Sequence, residues 1–293
     1  MSENIKRTVV GIPVSYDSAE NLELESTIQY LQFLEQNGVH TVMTTAGTSH
    51  FNLLSIEEIH LLNKTVVENF SNHKIVGIPA LSTKLAKKFI NEANEYLDDK
   101  TNLMLLYPDR FYNDEHIIKF MSSLRDETKN KIYIHGKTIR NAVGGVWDYN
   151  SDVINTLYDL NVLEGIKEEH SSLAKSYNFV SELDSRIDVI VAGGSMRRFE
   201  FLKSAGANSF LSGVGNLFPL IEQNYLDTNN QESLEIEKKM FKVFMKFGWH
   251  KSLRVGLSYL GLTCHGDRQP WPPLKDDEKQ EIIKVIKEIQ NEQ

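Results

Sequence analysis

The chain has 293 residues, of which 41% are hydrophobic and 25% are charged, and its formal net charge at pH 7 is −8. These values are typical of a soluble globular protein with one large domain or two smaller ones. The acidic balance gives no reason to expect nucleic acid or an anionic membrane as a partner.

Eight short apolar runs, rich in Val and Ile, alternate along the chain with longer segments of helical period. The runs lack regular polar alternation, which is typical of parallel strands covered on both faces. Eight strand–helix units in a row predict an α/β fold, a (β/α)8 TIM barrel, and a doubly wound open sheet is the alternative. The eight runs are 9–14, 39–44, 74–80, 102–107, 131–135, 162–167, 188–193 and 208–213.

The chain after the eighth run is mostly of helical period. It predicts helices at 233–250 and 276–290, which the proline-containing segment 269–274 separates. We therefore expect residues 1–220 to form the barrel. Residues 221–293 are expected to form a C-terminal helical extension packed on the barrel, so that the chain is a single structural unit.

Cys264 is the single cysteine of the chain, so no internal disulfide can form. The N-terminal residues 1–14 contain too short an apolar run for a signal peptide, and no apolar stretch approaches the roughly 18 residues of a spanning helix. These features predict a cytoplasmic protein.

The sixth run, "VLEGIK", ends in Lys167. Catalytic groups of a barrel lie at the carboxyl ends of its strands, so Lys167 is expected at the barrel mouth. Burial lowers the pKa of a lysine, and the neutral amine can attack a carbonyl group to form a Schiff base. The alternative is a structural lysine at the rim that pairs with Glu168 or Glu169. Position alone leaves both interpretations open.

"VLEGIKEEHSSLAKSYNFV" resembles the strand-six signature of the dihydrodipicolinate synthase and N-acetylneuraminate lyase family, in which the lysine of a GIK(D/E) motif forms a Schiff base with a 2-keto acid. Residues 11–17, 55–58 and 193–219 are similar to further stretches of that family. The resemblance implies a class I aldolase-type lyase that joins or splits a 2-keto acid, such as pyruvate, and an aldehyde on Lys167. It also implies a homodimer or homotetramer without a metal or an organic cofactor.

The family's second strand ends in a Gly-Thr-Thr-Gly-Glu type of loop that grips the carboxylate of the keto acid. Matched without gaps, Thr48 falls on the second threonine, so the resemblance implies that its hydroxyl binds this carboxylate. Gly47, Ser49 and His50 then replace the first threonine, the second glycine and the acid of that loop. The alternative is an ordinary turn that leads into a helix.

The family's fifth strand normally ends in a tyrosine that passes protons between the Schiff base and the substrate. His135 occupies that position, and imidazole is itself a general acid or base. Tyr133 lies two residues earlier, so we expect it on the same side of the strand but deeper. Arg140 matches an arginine that holds a carboxylate of the second substrate or product. His135 could also fill space, and Arg140 could be a surface residue.

Glycines follow the seventh and eighth runs, among them Gly193 and Gly213. They allow a keto acid to approach the backbone, whereas a phosphorylated sugar is the rival ligand for such loops. Arg197 and Arg198 are expected to be solvated helix residues. No HExxH motif or Cys/His cluster predicts a metal site.

The resemblance leaves the reaction open. A dihydrodipicolinate synthase-like condensation is the first hypothesis, and an aldolase or dehydratase of sugar-derived 2-keto acids is the second. A member that binds keto acids without turnover is the third, because the departures from the family pattern all fall on its chemistry while Lys167 is kept.

Overall fold

The structure is a computed structural model, and it describes residues 7–45, 47–106, 113–137, 139–140, 146–263 and 267–292. For Ile139–Arg140 and Val146–Trp147 it describes the backbone alone. Among the described residues no helix is both long enough and apolar enough to cross a membrane.

Eight strands close into a barrel in the order β1-β8-β7-β6-β5-β4-β3-β2, and neighbouring strands pair in parallel register. The predicted barrel is thereby confirmed, and the open sheet is wrong because β1 pairs with both β2 and β8. The strands are β1 (Arg7–Gly11), β2 (Thr41–Met43), β3 (His73–Ile78), β4 (Thr101–Leu105), β5 (Ile132–Lys137), β6 (Gly165–Glu169), β7 (Asp188–Val191) and β8 (Ser209–Leu211).

Helices connect the strands and continue after the last one. Those between strands are α1 (Glu25–Gln36), α2 (Ile56–Asn69), α3 (Thr83–Ala93), α4 (Asp114–Arg125), α5 (Ser151–Asp159), α6 (Leu173–Ser181) and α7 (Ser195–Leu202). Those after β8 are α8 (Pro219–Thr228), α9 (Gln231–Phe247), α10 (Trp249–Tyr259) and α11 (Asp276–Gln290). The predicted C-terminal helical part is therefore present.

Local sequence signals explain where several of these helices begin and end. Ser55 and Glu58 form a capping box at the start of α2, in which each side chain accepts a hydrogen bond from the other residue's backbone N–H. The helix predicted at 233–250 is interrupted, because Gly248 has a φ of 92° and separates α9 from α10.

The chain divides into two compact units. The first contains the chain up to Val9 together with Asn72–Leu211, and thus holds strands β3 to β8 with helices α3 to α7. The second contains Val10–Ser71 together with the chain from Ser212 onward, and thus joins β2, α1 and α2 to the C-terminal helices. The boundary expected after residue 220 stays a prediction.

In the second unit the C-terminal helices pack together and are tied to the early part of the chain. Helices α9, α10 and α11 pack against one another, and each carries a fully buried side chain: Phe244, Leu257 and Ile286. The hydroxyl of Tyr30 on α1 donates a 2.9 Å hydrogen bond to the carbonyl oxygen of Asn216, close to the start of α8. Helix α1, near the start of the chain, is therefore bonded to a residue that lies 186 positions later in the sequence.

Candidate active site

Strand β6 presents its side chains alternately to the inside and the outside of the barrel. Glu168 contacts Ser176 of α6 and Arg198 of α7, so it faces outward. Lys167 and Glu169 therefore face inward. Strand β6 continues through both glutamates, so the expectation that it ends on Lys167 is wrong, and Lys167 is its third residue.

Lys167 is buried inside the barrel wall, with a side chain that is only 5% exposed. Its Cα lies opposite that of His135 on β5 and that of Ile190 on β7. The rim position in which the lysine extends into solvent is therefore not observed. The predicted pairing with Glu169 is observed, because the Lys167 ammonium lies 3.5 Å from the carboxylate of Glu169.

Glu169 joins the groups that line this part of the barrel. Its Oε2 atom lies 2.7 Å from Nε2 of His135 and 3.5 Å from Nζ of Lys167, and its Oε1 atom lies 3.8 Å from Nζ of Lys137. The sequence alone predicts Glu169 only as a structural partner of the lysine. The one signal for a larger role is its spacing of two residues from Lys167, which places both side chains on one face of the strand.

The environment separates the protonation states of these groups. Burial lowers the pKa of Lys167, and the carboxylate of Glu169 opposes this effect. Burial and the charge of Lys167 lower the pKa of His135 to about 4, so the imidazole is neutral at pH 7. Burial alone would raise the pKa of Glu169, but the hydrogen bond from His135 and the charge of Lys167 hold it below its ordinary value.

A neutral imidazole beside an ionised carboxylate has a defined tautomer. The short contact to Glu169 requires that Nε2 of His135 carries the hydrogen and donates it, because the carboxylate has none to give. The lone pair of the ring then lies on Nδ1, which is the nitrogen able to accept a proton.

Tyr133 lies one layer deeper than Lys167, as its spacing in the sequence predicts. Its Cα is opposite that of Gly165, and its hydroxyl donates a 2.7 Å hydrogen bond to Asp188, which also pairs with Arg7. Burial raises the pKa of Tyr133 well above its ordinary value. Tyr133 thus lies below the lysine, beside the ion pair of Arg7 and Asp188, and its hydroxyl hydrogen is donated to Asp188.

Gly165 has no side chain, and this leaves room for Tyr133 and Asp188. A Cβ atom there would lie 2.6 Å from Cε1 of Tyr133 and 2.3 Å from the carbonyl oxygen of Asp188. The glycine of the "GIK" motif is therefore required by packing in this chain.

The loop after β2 carries Thr48 and Ser49, two of the residues that the sequence predicts for the site. Thr48 is largely buried, and its side chain lies against Gly11, where a Cβ atom would be 3.1 Å from Oγ1 of Thr48. The hydroxyl of Ser49 donates to the carbonyl oxygen of Ile12 at 2.7 Å and accepts from the backbone N–H of Thr45 at 3.0 Å. Ser49 thus holds the loop, while a ligand role for either hydroxyl stays a prediction.

The same loop is fitted closely against C-terminal residues. A Cβ atom at Gly47 would lie 2.9 Å from Nε2 of His250. His50 has a φ of 51°, and its ring contacts Trp271 edge-on, with 4.3 Å between the ring centroids. Burial and the guanidinium of Arg254 lower the pKa of His50 to about 3. His50, which the resemblance matches to the acid of the family loop, is therefore a neutral, packed imidazole.

The remaining predicted site residues lie at strand ends and in loops. Arg140 pairs with Val146 in a short antiparallel ladder, and its side chain lies outside the described part of the structure. Gly193 follows β7 with a φ of 74°, and a Cβ atom there would lie 3.6 Å from Cγ of Glu169. Gly213 follows β8 and donates its backbone N–H to Oε1 of Glu222 at 2.8 Å.

The sequence profile of the Dihydrodipicolinate synthetase family matches residues 4–289 of this chain. The protein belongs to this family, and the resemblance based on strand six is confirmed. The predicted enzyme class, a lyase, is confirmed with it.

The chain is similar to several known proteins over nearly its whole length. It is 21% identical to a 4-hydroxy-tetrahydrodipicolinate synthase of Methanosphaera stadtmanae, over 97% of this chain and 98% of that protein. It is 22% identical to a probable 5-dehydro-4-deoxyglucarate dehydratase of Bacillus subtilis, over 96% and 93%. The crystal structure of dihydrodipicolinate synthase from Oceanobacillus iheyensis superposes with a TM-score of 0.83 at 21% identity, covering 99% of this chain and 98% of that one. The structural similarity shows that the fold is shared.

Proposed function

We propose that this protein forms a Schiff base between Lys167 and the ketone of pyruvate or a related 2-keto acid, and that it uses the imine to make or break a carbon–carbon bond with an aldehyde. The observation that carries the proposal is the buried ammonium of Lys167 inside the barrel, beside a carboxylate and a neutral imidazole. Family membership supports it, because the lysine stands in the family's "GIK" motif.

The chemistry follows from the nitrogen of Lys167. Lys167 first gives up a proton, its neutral amine attacks the keto carbon, and that proton returns to the oxygen, which leaves as water so that an iminium ion remains. The iminium withdraws electrons, so a proton or a carbon fragment leaves the adjacent carbon and an enamine forms. We assign Thr48 and the N–H groups of its loop to the carboxylate, His135 to proton transfer, and Arg140 to a distal acidic or polar group. The reaction needs no metal or organic cofactor, because the imine itself is the electron sink.

The favoured reaction is a condensation like that of the 4-hydroxy-tetrahydrodipicolinate synthase of Methanosphaera stadtmanae, to which this chain is similar over 97% of its length. The similarity to a probable 5-dehydro-4-deoxyglucarate dehydratase supports an aldolase or dehydratase of sugar-derived 2-keto acids as the alternative. A turnover screen that offers the unreduced enzyme pyruvate with simple aldehydes, or sugar-derived keto acids alone, separates the two reactions.

A second candidate function is keto-acid binding without turnover. It is favoured by His50, which is a neutral imidazole packed on Trp271 where the family loop carries an acid. Under this alternative the Schiff base forms, but neither aldehydes nor sugar acids are consumed. Turnover that is lost in a His135→Phe variant would exclude it.

The direct experiment is reduction with borohydride in the presence of pyruvate, followed by mass spectrometry of the peptide that contains Lys167. We expect one reduced adduct on Lys167, none in Lys167→Met, and an unchanged adduct in Lys175→Met, since Lys175 is 65% exposed on α6. The mechanism fails if neither pyruvate nor longer 2-keto acids label Lys167.

We also propose that the protein works in the cytoplasm as a homodimer or homotetramer. The single cysteine supports the cytoplasmic location, and the family membership supports the oligomeric state. Sedimentation velocity at several protein concentrations tests the oligomeric state, and a monomer at all of them would contradict it.

A further inference from the structure

One carboxylate oxygen serves two nitrogen atoms in this site. Oε2 of Glu169 lies 3.5 Å from Nζ of Lys167 and 2.7 Å from Nε2 of His135. In a Schiff-base reaction the amine nitrogen of the lysine becomes the imine nitrogen and remains attached to the same side chain. The carboxylate that faces the ammonium therefore also faces the iminium that replaces it.

We propose that Glu169 is the counter-ion of the iminium on Lys167 and that it fixes the tautomer of His135 through the same oxygen atom. This inference rests on the proposed Schiff-base function and adds a residue to it. Glu169 is a positioning residue for His135 and an electrostatic partner of the reacting nitrogen.

A counter-ion acts on the proton that remains on the imine nitrogen, as the proton balance of the reaction shows. The ammonium of Lys167 brings three protons, two of which leave with the carbonyl oxygen as water, while one stays on the imine nitrogen. Nitrogen first adds to the keto carbon to give a carbinolamine, the carbon–oxygen bond then breaks as water leaves, and the positive charge is conserved. The iminium withdraws electrons only while it keeps its proton, and a carboxylate beside it opposes loss of that proton.

Besides Lys167, the groups that face Glu169 in the described part of the chain are an imidazole, an ammonium and a glycine, none of which is a carboxylate. Strand β5 contributes His135 and the ammonium of Lys137, which lies 3.8 Å from Oε1 of Glu169. From the segment after β7, Gly193 approaches Cγ of Glu169 without a side chain. Glu168 is the neighbouring acid, but it faces outward. Glu169 is therefore the carboxylate that the described structure places beside Lys167.

The inference is tested with Glu169→Gln, because glutamine keeps an oxygen that accepts the hydrogen bond of His135 but removes the charge. The readout is the rate of reduction by cyanoborohydride, which reduces the iminium and not the neutral imine, at saturating pyruvate from pH 5 to 10. Loss of the counter-ion lowers the pKa of the imine, so we expect the alkaline midpoint of this profile to fall by about one pH unit.

Two further variants distinguish the effect of the Glu169 charge from a general effect of the substitution on the structure. Glu169→Asp keeps the carboxylate, and we expect its midpoint to lie closer to that of the wild type. Glu115→Gln makes the same chemical change on the exposed first turn of α4, and we expect no shift. A purely structural role for Glu169 would lower the amount of adduct and leave the midpoint in place.

A second readout follows the enamine. Exchange of the methyl protons of pyruvate for deuterium, measured by NMR, requires the protonated imine. Above the wild-type midpoint we expect exchange in the Glu169→Gln variant to be slower by about tenfold, as a pKa change of one unit implies. If the wild type forms no adduct, the proposed function fails. If the wild type forms the adduct and Glu169→Gln leaves both readouts unchanged, only the role of Glu169 fails.

Discussion

Glu168 and Glu169 are consecutive residues of β6, and their carboxylates serve opposite faces of the barrel wall. Glu169 faces Lys167 and His135 on the inside. Glu168 is fully buried on the outside, where it accepts hydrogen bonds from Ser176 at 2.7 Å and from the backbone of His170 at 2.8 Å. One acid thus faces the lysine and histidine inside the barrel, and the other holds the helices that pack around the strand.

Removal of the outward carboxylate is expected to cost stability. Arg198 is 13% exposed, and its guanidinium lies 3.2 Å from both oxygens of Glu168. Glu168→Ala leaves this cation without its acidic partner, so we expect the free energy of unfolding to fall by about 3 kcal/mol. Urea unfolding followed by circular dichroism measures the change.

The matched control for this prediction is Glu168→Gln, which keeps the hydrogen-bonding shape and removes the charge. We expect it to retain part of the lost stability, because the amide oxygen still accepts from Ser176. Equal stability of Glu168→Ala and the wild type would show that the buried ion pair contributes nothing.

The glycine of the "GIK" motif offers a second prediction. In Gly165→Ala the new Cβ atom meets the backbone oxygen of Asp188 at 2.3 Å, which a side-chain rotation cannot relieve. We expect a loss of roughly 3 kcal/mol in the free energy of unfolding, as for other overpacked cores. Thermal unfolding of Gly165→Ala and of Tyr133→Phe, which removes only one hydrogen bond, provides the comparison. A milder effect in Gly165→Ala than in Tyr133→Phe would contradict the steric argument.

The barrel could be predicted from the sequence because its strands are runs of Val and Ile that face apolar neighbours on both sides. Lys167 could be identified because it follows such a run in a family motif. The end of β6 could not, since the charged residues after Ile166 suggest a loop until their partners are known. Those partners, His135 for Glu169 and Arg198 for Glu168, lie about 30 residues away along the chain and come close only in the folded barrel.

The charge of a residue does not by itself predict whether its side chain is exposed. Arg198 was expected to be a solvated helix residue, which is wrong, because its guanidinium is enclosed between Glu168, Ser176 and the carbonyl oxygen of His170. Arg197, the preceding residue, is exposed as expected. The two arginines have the same sequence signal, and only the direction of each side chain from α7 separates them.

The pKa of His50 leads to a prediction about pH. Its pKa in the folded protein is about 3, whereas an imidazole in the unfolded chain has a pKa near 6.5. Between these values the unfolded chain binds a proton that the folded protein does not, so stability rises with pH across this window and is lost on acidification. From pH 6.5 to pH 5 this one group is expected to remove about 2 kcal/mol from the free energy of unfolding.

The matched variant for this pH effect is His50→Asn, because asparagine accepts the φ of 51° at this position. We expect the variant to show a shallower loss of stability than the wild type between pH 6.5 and pH 5, measured by urea unfolding at each pH. Parallel profiles for the two proteins would mean that His50 is protonated in the folded state as readily as in the unfolded chain.

The loop that carries Thr48 is expected to be sensitive to a single methyl group. In Gly47→Ala the new Cβ atom would lie 2.9 Å from Nε2 and 3.0 Å from Cε1 of His250, so either the loop or the imidazole must move. If the loop binds the carboxylate of the keto acid, as proposed, its displacement weakens binding without touching Lys167. We expect the pyruvate concentration for half-maximal borohydride trapping to rise by about tenfold, which corresponds to 1.4 kcal/mol.

The double variant Gly47→Ala with His250→Ala decides whether the steric contact is the cause. Removal of the imidazole leaves room for the methyl group, so we expect half-maximal trapping to return toward the value of the His250→Ala single variant. A thermodynamic cycle over the four proteins gives the coupling between the two positions. Additive effects would show that the two positions act independently. An unchanged pyruvate requirement in Gly47→Ala would argue that the loop after β2 does not hold the carboxylate.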